Sequence, residues 1–194
     1  MPFLFFLAAP VFMLLAAAAL LWGGPEALAA RLSPFAIAIA HLYALGFMAM
    51  VMIGAMMQML PVLQGSPVPL PRATAAVTFA GIGPGTGALA AGFLFGSGPL
   101  MQSGTVALAA GFAAFIAAIL VSLARAPSQN HSVRAMWLAV LSLLVTVILA
   151  VMLGSLFGWG IALPSRAVHS LHPGWGLLGW TGLLVLGVGF ELVP

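Results

Sequence analysis

The chain has 194 residues, 64% hydrophobic and 4% charged, with five Arg, two Glu, no Lys and no Asp, and a formal net charge of +3. So few charges cannot build the polar surface of a soluble domain of this length. The pI near 11.4 comes from scattered Arg residues, with none of the basic, aromatic-interleaved patches that read nucleic acid. The lack of Cys excludes disulfides, iron–sulfur clusters, thiolate ligands and c-type haem attached through Cys.

Six apolar runs, separated by Pro-, Gly- and Arg-marked breaks, predict helices near 2–22, 35–60, 73–95, 103–123, 135–157 and 173–193. Each is close to the roughly 20 residues that cross a bilayer. Backbone groups in lipid must pair within their own segment, so the runs are read as helices. The expected fold is all-α: a polytopic integral membrane protein, one transmembrane domain over 1–194, built as a bundle of six transmembrane helices. The first run lacks a basic n-region and is longer than the roughly 7–15 apolar residues of a signal peptide, so it is kept as a helix.

The loop after the first run carries Glu26 and Arg31, and the one before the sixth carries Arg166; the opposite loops carry Arg72, Arg125 and Arg134. The positive-inside rule then predicts cytoplasmic termini in a bacterial inner membrane, with the second and sixth helices entering from the outer face. Trp22, Trp159 and Trp175 fit an aromatic belt at that face, and Trp180 lies deeper.

The second run holds His41, six residues past its expected start. An ionisable side chain at membrane depth is costly and marks a functional site by default. Met48, Met52 and Met59 are expected on the face of His41 at helical spacing. Met is a soft ligand for copper or haem iron, and equally a flexible filler against a flat cofactor or a neighbouring helix. The third run, Gly81-Ile-Gly83-Pro84-Gly85-Thr-Gly87, holds two small-xxx-small pairs; close packing is expected through Gly83 and Gly87, with a kink at Pro84. His131 lies in a polar loop and is expected to be solvated. His169 precedes the predicted sixth helix and reads as a surface residue. His172, before Pro173, reads as a helix-entry residue near the interface.

The second and sixth runs also repeat one another. Leu45-Gly46, Gly54, Gln58 and Pro61 recur with identical spacing as Leu178-Gly179, Gly187, Glu191 and Pro194. Only the His moves, lying two residues further upstream in the second copy. One explanation is a parallel duplication in a cofactor-free, transporter-like membrane subunit, with Gln58 and Glu191 forming a polar site and Glu191 carrying protons.

The second run, AHLYALGFMAMVMIGAMMQMLPVLQG, resembles helix II of subunit I in the haem–copper oxidase superfamily. The sixth, HPGWGLLGWTGLLVLGVGFELVP, resembles helix VI of the C-family oxidases and nitric oxide reductases. Both are also similar to the smaller membrane proteins grouped with the nitric-oxide-response protein NnrS. The resemblance covers two helices. It implies a b-type haem, with copper as a further candidate, and a role in electron transfer within a respiratory or gas-related complex of membrane subunits or a homo-oligomer. His41 matches the low-spin haem ligand and His172 the helix VI copper-ligand position, so His172 is expected on haem iron or copper, with His169 a weaker metal candidate. Arg31 and Arg166 are expected to pair with haem propionates, and Met48 and Met52 to line the cofactor. The sequence departs from the family in offering no His for helices VII and X and in placing its sole Tyr, Tyr43, on the wrong helix. It is expected to be either the first half of a longer oxidase-like protein or a six-helix relative with no binuclear centre.

Overall fold

The computed structural model describes residues 2–162 and 165–192; Met1, residues 163–164 and 193–194, and the side chains at 165, 191 and 192 lie outside the described set. All regular elements among the described residues are helical. Six of them are long and apolar enough to cross a membrane. Helix 1 is Phe3–Gly23, helix 2 runs over Pro34–Leu63, helix 3 is Pro71–Phe95, helix 4 is Gly98–Ala124 and helix 5 is His131–Trp159. Helix 6 joins Ser165–Gly174, Trp175–Gly182 and Leu183–Leu192.

Local chemistry explains most of the boundaries. Ser33 caps helix 2: its Oγ accepts from the Ala36 N–H and donates to the Ala27 carbonyl, both at 3.1 Å, with Pro34 at the first helical position, where its missing N–H costs nothing. Asn130 caps helix 5 by accepting from the Val133 N–H at 2.9 Å. His131 therefore begins that helix rather than lying in a loop, although it remains exposed as expected. The expected start of helix 6 at Pro173 is corrected to Ser165. Pro173 sits inside the helix, where it withholds one hydrogen bond from the carbonyl four residues back.

Helices 3 and 4 form the tightest pair in the bundle. A Cβ on Gly81 would meet the Gly111 backbone at 2.6 Å, and one on Gly104 would meet the Leu89 backbone at 2.6 Å. The two backbones touch where side chains are missing. The expected contact through Gly83 and Gly87 is corrected: a Cβ on Gly83 would come no nearer than 3.5 Å to another group, the Met50 methyl, and one on Gly87 meets nothing within 4 Å. Gly81 and Gly85 hold the face toward helix 4, and Gly83 and Gly87, two residues on, are rotated off it. The helix continues through Pro84.

A polar clasp ties the far end of helix 2 to helix 4. The Ser66 hydroxyl donates to the Ser122 carbonyl, and the Ser122 hydroxyl donates back to the Ser66 carbonyl at 3.0 Å. Both residues are fully buried. Ser122→Ala leaves a buried carbonyl without its donor and is expected to cost about 1–3 kcal/mol, readable as a lowered thermal midpoint.

The repeat seen in the sequence is also a repeat of backbone geometry. Leu42–Ala49 in helix 2 and Trp175–Gly182 in helix 6 are both π-helical, and they are related by the same offset that carries Leu45 to Leu178. At matched places within them, Gly46 lies under the Phe12 ring of helix 1 and Gly179 under Ser142 of helix 5. Each repeat helix thus packs on the helix that precedes it in the chain. Single π-bulges are rare and concentrate at functional sites.

Candidate functional site

Helix 2 and helix 6 stand apart at one end of the bundle, and a cavity of about 410 Å³ lies between them, backed by helices 3, 4 and 5. This lies within the roughly 300–1,000 Å³ of pockets that enclose small-molecule ligands. Its walls are mostly aliphatic and aromatic, with Leu89, Phe93, Leu108, Phe112, Leu143 and Trp180 prominent.

His41 and His172 face this space from opposite sides, with ring centroids 6.3 Å apart and ring planes within 15°. His41 follows Pro34 by the same interval that separates His172 from Ser165. Both therefore lie two turns into their helices, roughly 10 Å at about 1.5 Å per residue. The expectation that His172 sits at the helix entry is corrected by the earlier start of helix 6.

Each imidazole is held by one hydrogen bond. His41 Nδ1 lies 2.8 Å from the Ile37 carbonyl of its own helix, and His172 Nδ1 lies 3.2 Å from the Thr146 carbonyl of helix 5. A carbonyl oxygen only accepts, so the proton in each bond sits on Nδ1 and the lone pair of each ring is on Nε2. That is the arrangement that orients metal-bound histidines. The hydroxyls in the cavity wall are already engaged within their own helices: Thr105 donates to the Met101 carbonyl, Thr146 to Ser142 and Thr181 to Gly176. The Trp180 indole N–H has no hydrogen-bond partner, and its ring packs edge-on against Phe115 at 6.0 Å.

The remaining candidates divide. Arg31, Met48 and His169 line the cavity together with the two histidines; Arg166 and Met52 do not. Arg166 is exposed on the outer side of helix 6, and Met52 is half-buried against the core. Met52 leaves the face of His41 because the intervening π segment carries about one extra residue per turn, so uniform helical spacing overshoots beyond it. His169 was expected on the surface. The longer helix 6 brings it to the cavity, edge-on to Phe157 at 5.8 Å. Sequence reasoning passed over Phe93, whose ring lies 6.1 Å from that of His41 with planes within 22°; nothing in an apolar helix sequence sets it apart. Gln58, near the other end of helix 2, is half-buried. The side chain of Glu191, its expected partner, lies outside the described residues.

Among the described residues no three His, Cys, Asp or Glu side chains converge as a metal-ion group. Two imidazoles fall short of the four ligands a caged transition ion usually takes. They could hold a metal whose remaining ligands come with a cofactor. No protein-family model, curated protein or solved structure matches this chain.

Proposed function

We propose that this chain is a membrane-embedded b-type haem protein that transfers electrons, with His41 and His172 as the two axial ligands. We place it in a bacterial inner membrane with both termini on the cytoplasmic side. The observation that carries the reading is the imidazole pair across the apolar cavity, each ring fixed by an Nδ1–H donated to a carbonyl. With ring centroids 6.3 Å apart, His41 and His172 would be the residues that hold the haem iron. When bound, the haem supplies a one-electron couple. The chain supplies two neutral nitrogen ligands and an apolar wall that keeps water from the metal, both of which tune the potential.

Arg31 at the cavity edge is the cation for the haem carboxylates, since guanidinium pairs with them bidentately. Arg31→Ala is therefore expected to raise the haem dissociation rate, and Arg166→Ala to leave it unchanged. Equal rates in the two variants would count against a carboxylate edge at Arg31.

The reading is tested on purified full-length chain by absorption spectroscopy and a pyridine haemochrome assay. One haem per chain with a six-coordinate, low-spin spectrum is expected. A colourless preparation that stays colourless after incubation with haemin would falsify it and would favour the cofactor-free duplicated subunit.

A further inference from the structure

One polar group in the cavity wall has nothing to bond to. Trp180 is 4% exposed and lines the cavity, and its indole N–H has no hydrogen-bond partner. Buried Trp N–H groups normally find an acceptor, and one left unpaired is costly. Among the described residues, two other buried side-chain groups lack a partner, the Thr78 and Thr86 hydroxyls of helix 3; neither lines the cavity. Fully buried Phe115 backs the Trp180 ring edge-on, so the indole is held in place from behind.

The cavity wall is divided along helix 6. His169 lies one turn to the outer side of His172, edge-on to Phe157, whereas Trp180 lies about two turns deeper than His172. The ionisable side chains of the wall, Arg31, His41, His169 and His172, thus gather toward the starts of helices 2 and 6. At the deep end the Thr181 hydroxyl already donates to the Gly176 carbonyl. Helices 2 and 4 contribute Ala49 and Phe112 as their last lining residues. Indole N–H donates and never accepts, and an anion beside it would be buried without a cation. The deep end therefore suits a neutral acceptor. Helices 2 and 6 have no packed interface with one another, which leaves the seam between them as a way in from the lipid.

We propose that Trp180 is the recognition residue of a binding site for a neutral, lipid-soluble carbonyl compound, whose oxygen accepts the indole N–H at the deep end of the cavity. The site goes beyond the haem reading, because its donor lies about two turns from His172 and is none of the proposed haem ligands. Quinones and ester lipids both carry such a carbonyl, and the hydrogen bond reads the chemistry they share.

The test uses purified full-length chain, with whatever cofactor it carries, and three probes of similar length: a decyl-substituted benzoquinone, methyl decanoate, and decylbenzene, which has no oxygen. Bound to the wild type, a carbonyl probe isotope-labelled at its carbonyl should show an infrared stretch at lower frequency than in detergent alone, as a hydrogen-bonded carbonyl does. A shift with the quinone alone identifies a quinone site; a shift with the ester identifies a lipid-carbonyl site. Trp180→Phe keeps a ring against Phe115 and lacks the N–H. It should bind the carbonyl probe about five- to tenfold more weakly, as the loss of one hydrogen bond predicts, with no band shift and with decylbenzene bound as before. In wild type carrying isotope-labelled tryptophan, one of the five indole N–H resonances should move downfield with the carbonyl probe and stay put with decylbenzene. That reading needs no variant.

Three results would overturn the proposal: an unshifted carbonyl band with both carbonyl probes in the wild type, equal carbonyl affinity in wild type and Trp180→Phe, or an equal loss of decylbenzene affinity in that variant, which would make Trp180 a contact of shape alone. Failure here is distinct from failure of the haem reading. A colourless chain with Trp180-dependent carbonyl binding removes the haem reading alone, whereas a six-coordinate haem protein without such binding removes this proposal alone.

Discussion

His41→Ala is expected to purify as a folded, helical protein that has lost nearly all of its haem. The ring meets Phe93 at the cavity, while helix 2 is packed into the bundle by Leu42, Gly46, Met50, Ile53 and Leu60 among others. Removing the ring therefore leaves the bundle intact. It takes away the proposed haem ligand on helix 2. Loss of a group that only hydrogen-bonds to a ligand already weakens metal binding by about 10–100-fold, so loss of a ligand itself should exceed that. The measurement is haem-to-protein ratio by pyridine haemochrome, with circular dichroism to verify helicity. Imidazole added to the medium should restore part of the haem, since it can enter the space left by the side chain. Full haem occupancy with an unchanged spectrum in this variant would remove His41 from the ligand set.

The second large effect concerns the frame that holds the cavity open. Gly111→Leu is expected to break the contact between helices 3 and 4 and to lower the thermal midpoint sharply. A Cβ at Gly111 already lies 3.0 Å from the Gly81 backbone, so no neighbouring rotamer can yield. Overpacking against movable side chains costs about 1–3 kcal/mol, and a clash with backbone should reach or pass the top of that range. Gly87→Leu is the contrast: it projects into open space and is expected to change stability by no more than about 0.5 kcal/mol, as surface substitutions do. The pair separates backbone contact between helices 3 and 4 from a general intolerance of bulk at their glycines. Equal midpoints for the two variants would show that helices 3 and 4 are not held by backbone contact at Gly81 and Gly111.

The paired π segments couple these two levels. Gly46 and Gly179 let Phe12 and Ser142 press against the repeat helices, and the π turns change the direction in which residues beyond them point. The same device serves both sides of the cavity, while the histidines break the repeat by two residues. The repeat therefore extends to the backbone of the scaffold, whereas the two histidines reach the cavity two residues out of register with it.

Six helices could be read from the chain alone because apolar length and Pro/Gly punctuation are local properties, and no soluble alternative can be built from so few charges. His41 was legible for the same reason: a lone imidazole far inside an apolar run is visible without knowing its neighbours. The start of helix 6 was not. Pro173 signals a helix start, yet helix 6 begins at Ser165 and runs through it, which carries His172 two turns in and brings His169 to the cavity. Met52 was assigned to the wrong face because uniform periodicity cannot register a π segment. Gly83 and Gly87 share their spacing with Gly81 and Gly85, and only the position of helix 4 decides which pair is in contact. Spacing along one helix is written in the sequence; the direction a residue faces, and the partner it meets there, depend on how several helices pack at once.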